Sequence, residues 1–194
     1  AAVLAGGRTP RLVAGLTAAA PARQCRLVAE EDGDRLACIR FEGTEDAQNL
    51  GYTLRSAEAL GAHAVLLKKH VWNFEGAAVS RASSGAFERL PLAQIENVEK
   101  ELLPLKRLGL KFWGGIAGAK RTMLDAKLAT PVLLSLGGER RGLSGAMREI
   151  CDGFFHIPMK VGTSSLSMSH AACLVLGEAM RQRREASLQR KSER

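Results

Sequence analysis

The chain has 194 residues, 46% apolar and 25% charged, which fits one soluble globular core with a short appendage. No apolar run approaches the roughly 18 residues a membrane helix needs. Cys25, Cys38, Cys151 and Cys173 lack CxxC spacing, and His63, His70, His156 and His170 are scattered, which excludes a disulfide scaffold and a metal site.

The net charge of +8 sits at the two ends. Residues 1–29 hold Arg8, Arg11, Arg23 and Arg26 and no acid, a composition shared by transit peptides and by linkers from a preceding domain. Residues 1–35 are therefore set apart as a basic N-terminal linker or domain remnant. A cytoplasmic location is expected, or an organellar one if residues 1–29 follow a transit peptide. Residues 36–41 read as a strand. Thr44-Glu45-Asp46 is a turn into a helix from about residue 49 to 60, where Leu50, Leu54, Ala57 and Gly61 repeat at helical spacing. Gly61 suits the position after the helix end.

Residues 64–67 form a short apolar strand running into Lys68-Lys69-His70. Residues 76–83 predict a short helix that Gly85 breaks, and Leu90-Pro91-Leu92 suggests a short edge strand. Residues 95–108 read as an amphipathic helix, with a kink or break near Leu103 because of Pro104. A strand over 111–116 ends among Gly114, Gly115 and Gly118. Two buried-strand patterns follow, at 132–136 and 154–157, with a short helix at 143–150 between them. The last helix, from Ser165 to about Arg184, is apolar almost all round between Ala171 and Leu176. That predicts burial by its own core on one side and by a second subunit on another. Residues 185–194 are left as a basic tail. Basic ends suit phosphate contacts, although solvated tails have the same composition.

Alternating strands and helices imply an α/β fold with a largely parallel sheet. Such sheets bind ligands at the carboxyl ends of their strands. Two strand patterns here end in small-residue turns, at Gly137-Gly138 and at 162–165. A dinucleotide fingerprint is excluded by Glu139, and the glycines from Gly114 to Lys120 have the wrong spacing for a phosphate-binding loop.

Leu136-Gly137-Gly138-Glu139, Gly142-Leu143-Ser144, Ile157-Pro158-Met159 and Ser165-Leu166 resemble the second and third motifs of the SpoU/TrmH-type RNA ribose 2′-O-methyltransferases of the SPOUT superfamily. Asp46-Ala47-Gln48-Asn49-Leu50-Gly51 with Leu54-Arg55-Ser56-Ala57 resembles the first motif, with Ala47 where proline is usual. The resemblance covers roughly residues 36 to 183 and sets a SPOUT domain at 36–184. It implies a deep C-terminal trefoil knot, which periodicity alone would never suggest. It also implies S-adenosylmethionine as cofactor, a homodimer and RNA as substrate, ribosomal guanosine first and transfer RNA next.

Carried over by position, Gly137, Ile157 and Leu166 bind the cofactor, and Asn49, Arg55 and Glu139 are catalytic. Glycine lets backbone approach a ligand, and Ile and Leu can sandwich an adenine. A guanidinium has a pKa above about 12, so Arg55 acts more easily as a phosphate clamp and oxyanion stabiliser than as a base. Glu139 would position Arg55 or the strand-end backbone. Bland roles compete for each residue: a helix cap for Asn49, an i, i+3 pair with Glu58 for Arg55, core packing for Ile157 and Leu166, and a surface carboxylate for Glu139. The small residues of 79–86 read best as a close-packing helix. One departure stands out. The third motif usually ends Ser-Leu-Asn and here reads Ser165-Leu166-Ser167, a short hydroxyl in place of a bidentate amide. That departure keeps open a non-catalytic knotted RNA-binding or ribosome-assembly protein as the alternative.

Overall fold

Six short apolar runs line up, all parallel, in one sheet. The fold comes from a computed structural model that describes residues 9–14, 25–30, 37–43, 46–68, 75–107, 109–138, 141–160, 162 and 165–192, with backbone alone at 9–14, 25–30 and 37. In chain order the main elements are β3 (Ala37–Phe41), α1 (Ala47–Ala59), β4 (Ala64–Lys68), α2 (Gly76–Ser83), α3 (Ala86–Arg89), β5 (Leu92–Ile95), α4 (Val98–Arg107), β6 (Lys111–Gly115), β7 (Val132–Leu136), α5 (Gly145–Ile150), β8 (Gly153–Phe155) and α6 (Met168–Ser192). The spatial order is β5-β4-β3-β7-β6-β8. Before them β1 (Thr9–Ala14) and β2 (Cys25–Glu30) pair antiparallel, Thr9 opposite Glu30. No strand is expected there from sequence alone.

Both faces of the sheet are buried, as a parallel sheet requires. Ile39, Phe41, Val65, Leu67, Leu134 and Leu136 face one cluster, which α1 closes with Leu50 and Leu54 and α6 with Ala172, Val175 and Leu176. Cys38, Ala64, Leu66, Phe112 and Leu133 face the other, covered by Leu102 and Leu105 of α4 and Met147 of α5. The period of two along each strand thus sorts neighbouring residues into separate cores.

Local chemistry sets the helix ends. Asp46 caps α1, its carboxylate accepting from the Asn49 N–H at 2.7 Å. Gly61, at φ +73°, ends it: the N–H of Ala62 reaches the Ala57 carbonyl at 2.8 Å and that of Gly61 reaches Glu58 at 3.1 Å. Gly51 has no room for a side chain, since a Cβ would lie 2.4 Å from that of Ala82. The small residues of α2 therefore serve close packing against α1.

Three boundaries differ from expectation. Ile95 closes β5, and α4 begins at Val98, because Asn97 caps it through the Lys100 N–H while Glu101 accepts from the N–H groups of Glu96 and Asn97. Pro104 lies inside α4 without ending it; Leu102 and Leu105, both fully buried, hold the helix on the sheet. Finally α6 runs on to Ser192. Arg181 bridges Glu178 and Glu185 along it, so the basic tail is largely a helical extension.

One charged contact is buried in the second core. Arg40 of β3 is 1% exposed and pairs with Glu42, just past the strand. Glu42 also accepts from the Ser144 hydroxyl at 2.7 Å and from its N–H. Burial pushes the Glu42 carboxyl up, but the Arg40 charge and the Ser144 bonds outweigh it and hold the pKa below its ordinary value. A depressed carboxylate stabilises the fold fully above its unfolded pKa, about 4.3, and the gain is lost as pH falls through the lower folded value. Glu42→Gln leaves the Arg40 charge unpaired and is expected to cost about 3–5 kcal/mol at neutral pH. Chemical denaturation at neutral and acid pH tests this: the gap between wild type and variant should narrow in acid.

Candidate active site

The glycine turn after β7 is tight because two backbones touch. A Cβ on Gly137 would lie 2.1 Å from the carbonyl carbon of Gly142 and 2.3 Å from the Leu143 nitrogen. The Gly142 N–H bonds to the Gly138 carbonyl at 2.8 Å, and Gly142 has φ +60°. Ser144 then caps α5, held by Glu42. Glu139 lies outside the described residues.

This turn forms one wall of a cleft of about 170 Å³. Gly115 at the end of β6, Leu136 and Gly137 at the end of β7, Ile157 beyond β8, and Leu166 and Met168 at the start of α6 line it. The sequence-predicted trio of Gly137, Ile157 and Leu166 is therefore brought together at the carboxyl end of the sheet. Met168, Ala171 and Met159 were not foreseen; an apolar residue at a helix start carries no local sign of lining a cleft. The volume is below the ~300 Å³ of sites that enclose a whole drug-sized ligand, so it suits one flat apolar part of a larger molecule.

Beside the cleft, α1 meets α6. The Asn49 Oδ1 accepts from the Ser169 N–H at 3.2 Å, joining the first motif to the third across 120 residues of sequence. Asn49 is thus not the helix cap, and among the described residues its Nδ2 has no partner. Arg55, one and a half turns on, is exposed. The pairing with Glu58 that sequence spacing allowed does not form: Glu58 takes a bidentate bond from Arg89 at 2.6 and 2.7 Å. Among the described residues Arg55 has no acidic partner. Ser167 lies between Leu166 and Met168, and its hydroxyl is 2.6 Å from the His170 Nδ1. Among the described residues no cluster of His, Cys, Asp and Glu converges on a metal geometry, and no helix is long and apolar enough to cross a membrane.

With this geometry the comparisons agree. A model of the SpoU rRNA methylase family matches residues 37–177, most of the chain. The chain belongs to that family. It is 38% identical over 157 residues to the 23S rRNA (guanosine-2′-O-)-methyltransferase RlmB of Xanthomonas campestris, covering 81% of this chain and 63% of that protein. A solved RNA 2′-O ribose methyltransferase superposes with a TM-score of 0.69 at 33% identity, over 79% of this chain and 59% of its own. The SpoU methyltransferase AviRb of Streptomyces viridochromogenes, solved in complex with the cofactor AdoMet, superposes with a TM-score of 0.70 at 28% identity, over 83% and 69%. The chain thus spans less than two thirds of the length of that RlmB.

Because the Gly137 contact is with backbone, which no rotamer change relieves, Gly137→Ala is expected to cost at least about 1–3 kcal/mol and to distort the cleft. Gly145→Ala, in open space at the start of α5, should be neutral or slightly stabilising. Paired thermal melts of the two variants distinguish a position-specific clash from a general intolerance of alanine in this segment.

Proposed function

We propose that this chain is the catalytic domain of an S-adenosylmethionine-dependent RNA ribose 2′-O-methyltransferase acting on ribosomal RNA guanosine, with transfer RNA as the next candidate. The observation that carries the reading is the convergence of Gly137, Ile157 and Leu166 on one apolar cleft beside the Asn49–Ser169 contact. AviRb with its bound AdoMet and the RlmB relative support it. The cleft suits an adenine, which needs apolar walls: Leu136, Ile157, Leu166 and Met168 line it.

The cofactor, when bound, supplies a methyl group on a sulfonium. Ile157 and Leu166 would sandwich its base, and Gly137 and Gly115 would let main chain approach it. The exposed Arg55 would clamp the phosphate next to the target ribose and stabilise the developing oxyanion. The Nδ2 of Asn49, without a partner among the described residues, is a further donor at the same junction. Glu139 is kept as a positioning carboxylate for Arg55 or the turn. Domain bounds of 36–184, with basic segments on either side for RNA, go with this reading, as does a cytoplasmic location.

The knot belongs to the proposal too. Supporting it, α6 returns from the β8 edge to pack on α1, and the 116–131 loop meets it on the way. Gln182 bonds Leu128 and Ala126, and Arg183 bonds the carbonyls of Leu128 and Thr130. The non-catalytic reading rests on one observation, Ser167 in place of asparagine.

The deciding experiment combines calorimetry with single-turnover methyl transfer on ribosomal and transfer RNA. S-Adenosylmethionine should bind with a micromolar to sub-millimolar dissociation constant, and Arg55→Ala should lower transfer on the order of 10²–10³-fold with binding unchanged. Transfer that Arg55→Ala leaves untouched refutes its role; cofactor and RNA binding without transfer supports the non-catalytic reading.

A homodimer is proposed from the outer side of α6. Cys173 and Leu174 are exposed there, Leu174 at 44%, with Met180 at 37% further along and Tyr52 of α1 at 50%. Cys173 and Met180, seven residues apart, fall on one side of α6 with Leu174 beside them, an apolar patch that a two-fold pairing would cover. Light scattering should give twice the monomer mass, and Leu174→Arg should shift it toward monomer.

A further inference from the structure

We propose that a second cavity, next to the cofactor cleft and lined by Lys120, Arg121 and Phe154, holds the nucleotide of the substrate RNA that adjoins the methylated one. The inference rests on the methyltransferase reading and deepens it. The cavity measures about 740 Å³, against about 170 Å³ for the cleft. That volume is in the ~300–1,000 Å³ range of sites that enclose a small ligand. The glycine-rich segment after β6, which has the wrong spacing for a phosphate-binding loop, forms the wall between the two spaces. Gly115 and Ala117 line the cleft, Gly118 to Arg121 line the cavity, and Ile116 lines both. A strand that puts one ribose within reach of the cleft must lay a neighbouring nucleotide beside it, and the cavity opens there.

Hydrogen bonds hold this segment in place. It lies along the outer edge of β8, the last strand of the sheet. The His156 N–H donates to the Arg121 carbonyl and the Met123 N–H to the His156 carbonyl, both at 2.9 Å. The His156 Nδ1 is 2.9 Å from the Ala119 carbonyl, which can only accept, so the ring donates. A Cβ on Gly153 would lie 2.5 Å from the Trp113 ring, so only glycine admits the indole there. The Arg121 guanidinium sits over that ring, 5.4 Å from its centroid. The indole thus steadies one side of a side chain that is otherwise exposed.

A nucleotide offers a flat base and a phosphate. An arginine plane and a half-buried phenylalanine suit the base, since unpaired bases stack on both kinds of surface whatever their sequence. Lys120, exposed and a compact point charge, suits the phosphate. The two acids of the cavity already have partners. Asp152 accepts from the Phe112 N–H at 2.8 Å and pairs with Lys106 at 3.1 Å, and Asp125 accepts from the Thr122 hydroxyl at 2.5 Å. Lys106, Lys120 and Arg121 thus outnumber Asp125 and Asp152, which favours an anion.

The test compares wild type, Arg121→Lys, Lys120→Gln and Lys127→Gln. Lys127 is an exposed cation of the same loop that does not line the cavity. Affinity for transcribed ribosomal RNA is measured by fluorescence anisotropy at several salt concentrations. Single-turnover methyl transfer, S-adenosylmethionine affinity and melting temperature are measured alongside. Arg121→Lys keeps the charge and loses the plane, so RNA affinity should fall roughly tenfold with its salt dependence unchanged. Lys120→Gln should flatten the slope of log affinity against log salt by about 0.7. Lys127→Gln should leave both as they are, and cofactor affinity should hold in all three variants. Wild-type RNA affinity in Arg121→Lys, or an equal loss in Lys127→Gln and Lys120→Gln, overturns the proposal, while transfer by the wild type keeps the methyltransferase reading standing. Cofactor affinity that falls in step with RNA affinity gives the cavity to the rest of the cofactor and also overturns the proposal. RNA affinity that depends on Arg121, in a protein that binds cofactor and transfers nothing, supports the cavity as an RNA site and overturns the methyltransferase reading.

Discussion

The structure depends on one buried carboxylate. Glu42 ends β3, the central strand, and reaches 102 residues along the chain to Ser144. It neutralises Arg40, which would otherwise be an unpaired charge in the second core, and it fixes the N-terminus of α5. Between Leu136 on β7 and Ser144 runs the glycine turn, so both of its ends are fixed: one by the β3–β7 ladder, the other by Glu42. A turn anchored twice can hold backbone against backbone at Gly137 and Gly142. That close approach leaves main chain, not side chain, on the cleft wall. The cost of burying two ions is offset only while every partner is present, which makes this corner all-or-none.

Much of this was legible in the sequence, and the reason is periodicity. Runs such as 132–136 and 64–67 are too short and apolar to be anything but buried strands between helices, and α1 shows its Leu50, Leu54 and Ala57 stripe directly. The order of strands in the sheet is a different matter, since β7 sits between β3 and β6 through contacts no local pattern encodes. The end of α6 was misplaced because its last turns face solvent and carry no apolar period. They are helical through good helix formers and the Arg181 bridges, which are weak signals individually. Ile95 reads as the first residue of a helix because its spacing to Val98 and Leu102 suits either element; the Asn97 cap decides otherwise.

For the site, motif order gave the trio on the cleft, and geometry gave what motifs cannot. The Asn49–Ser169 bond needs two helices to meet, and nothing within either segment announces it. Arg55 illustrates the opposite case. Its sequence neighbour Glu58 offered a plausible local partner, but a bidentate bond from Arg89, 31 residues away, takes that carboxylate. A fork-shaped guanidinium aligned on both oxygens outcompetes a cation that can reach only along its own helix. The competition for Glu58 thus decides which of the two arginines it holds.

A single helix, α6, then concentrates three kinds of chemistry along its length. Its first turns carry Met168 and Ala171 at the cleft, its middle packs Val175 and Leu176 into the first core, and its end is basic and solvent-facing. Rigid packing in the middle is what makes the first turn dependable. Ala172 and Val175 are fully buried and Leu176 nearly so, so rotating the helix by one residue would expose apolar surface at about 25 cal/mol per Å². The register of the core therefore fixes the azimuth of Ser167 and His170. In such a frame, replacing a long amide with a short hydroxyl shortens the reach of position 167. The Ser167 hydroxyl reaches along its own helix, to His170 Nδ1 one turn on at 2.6 Å.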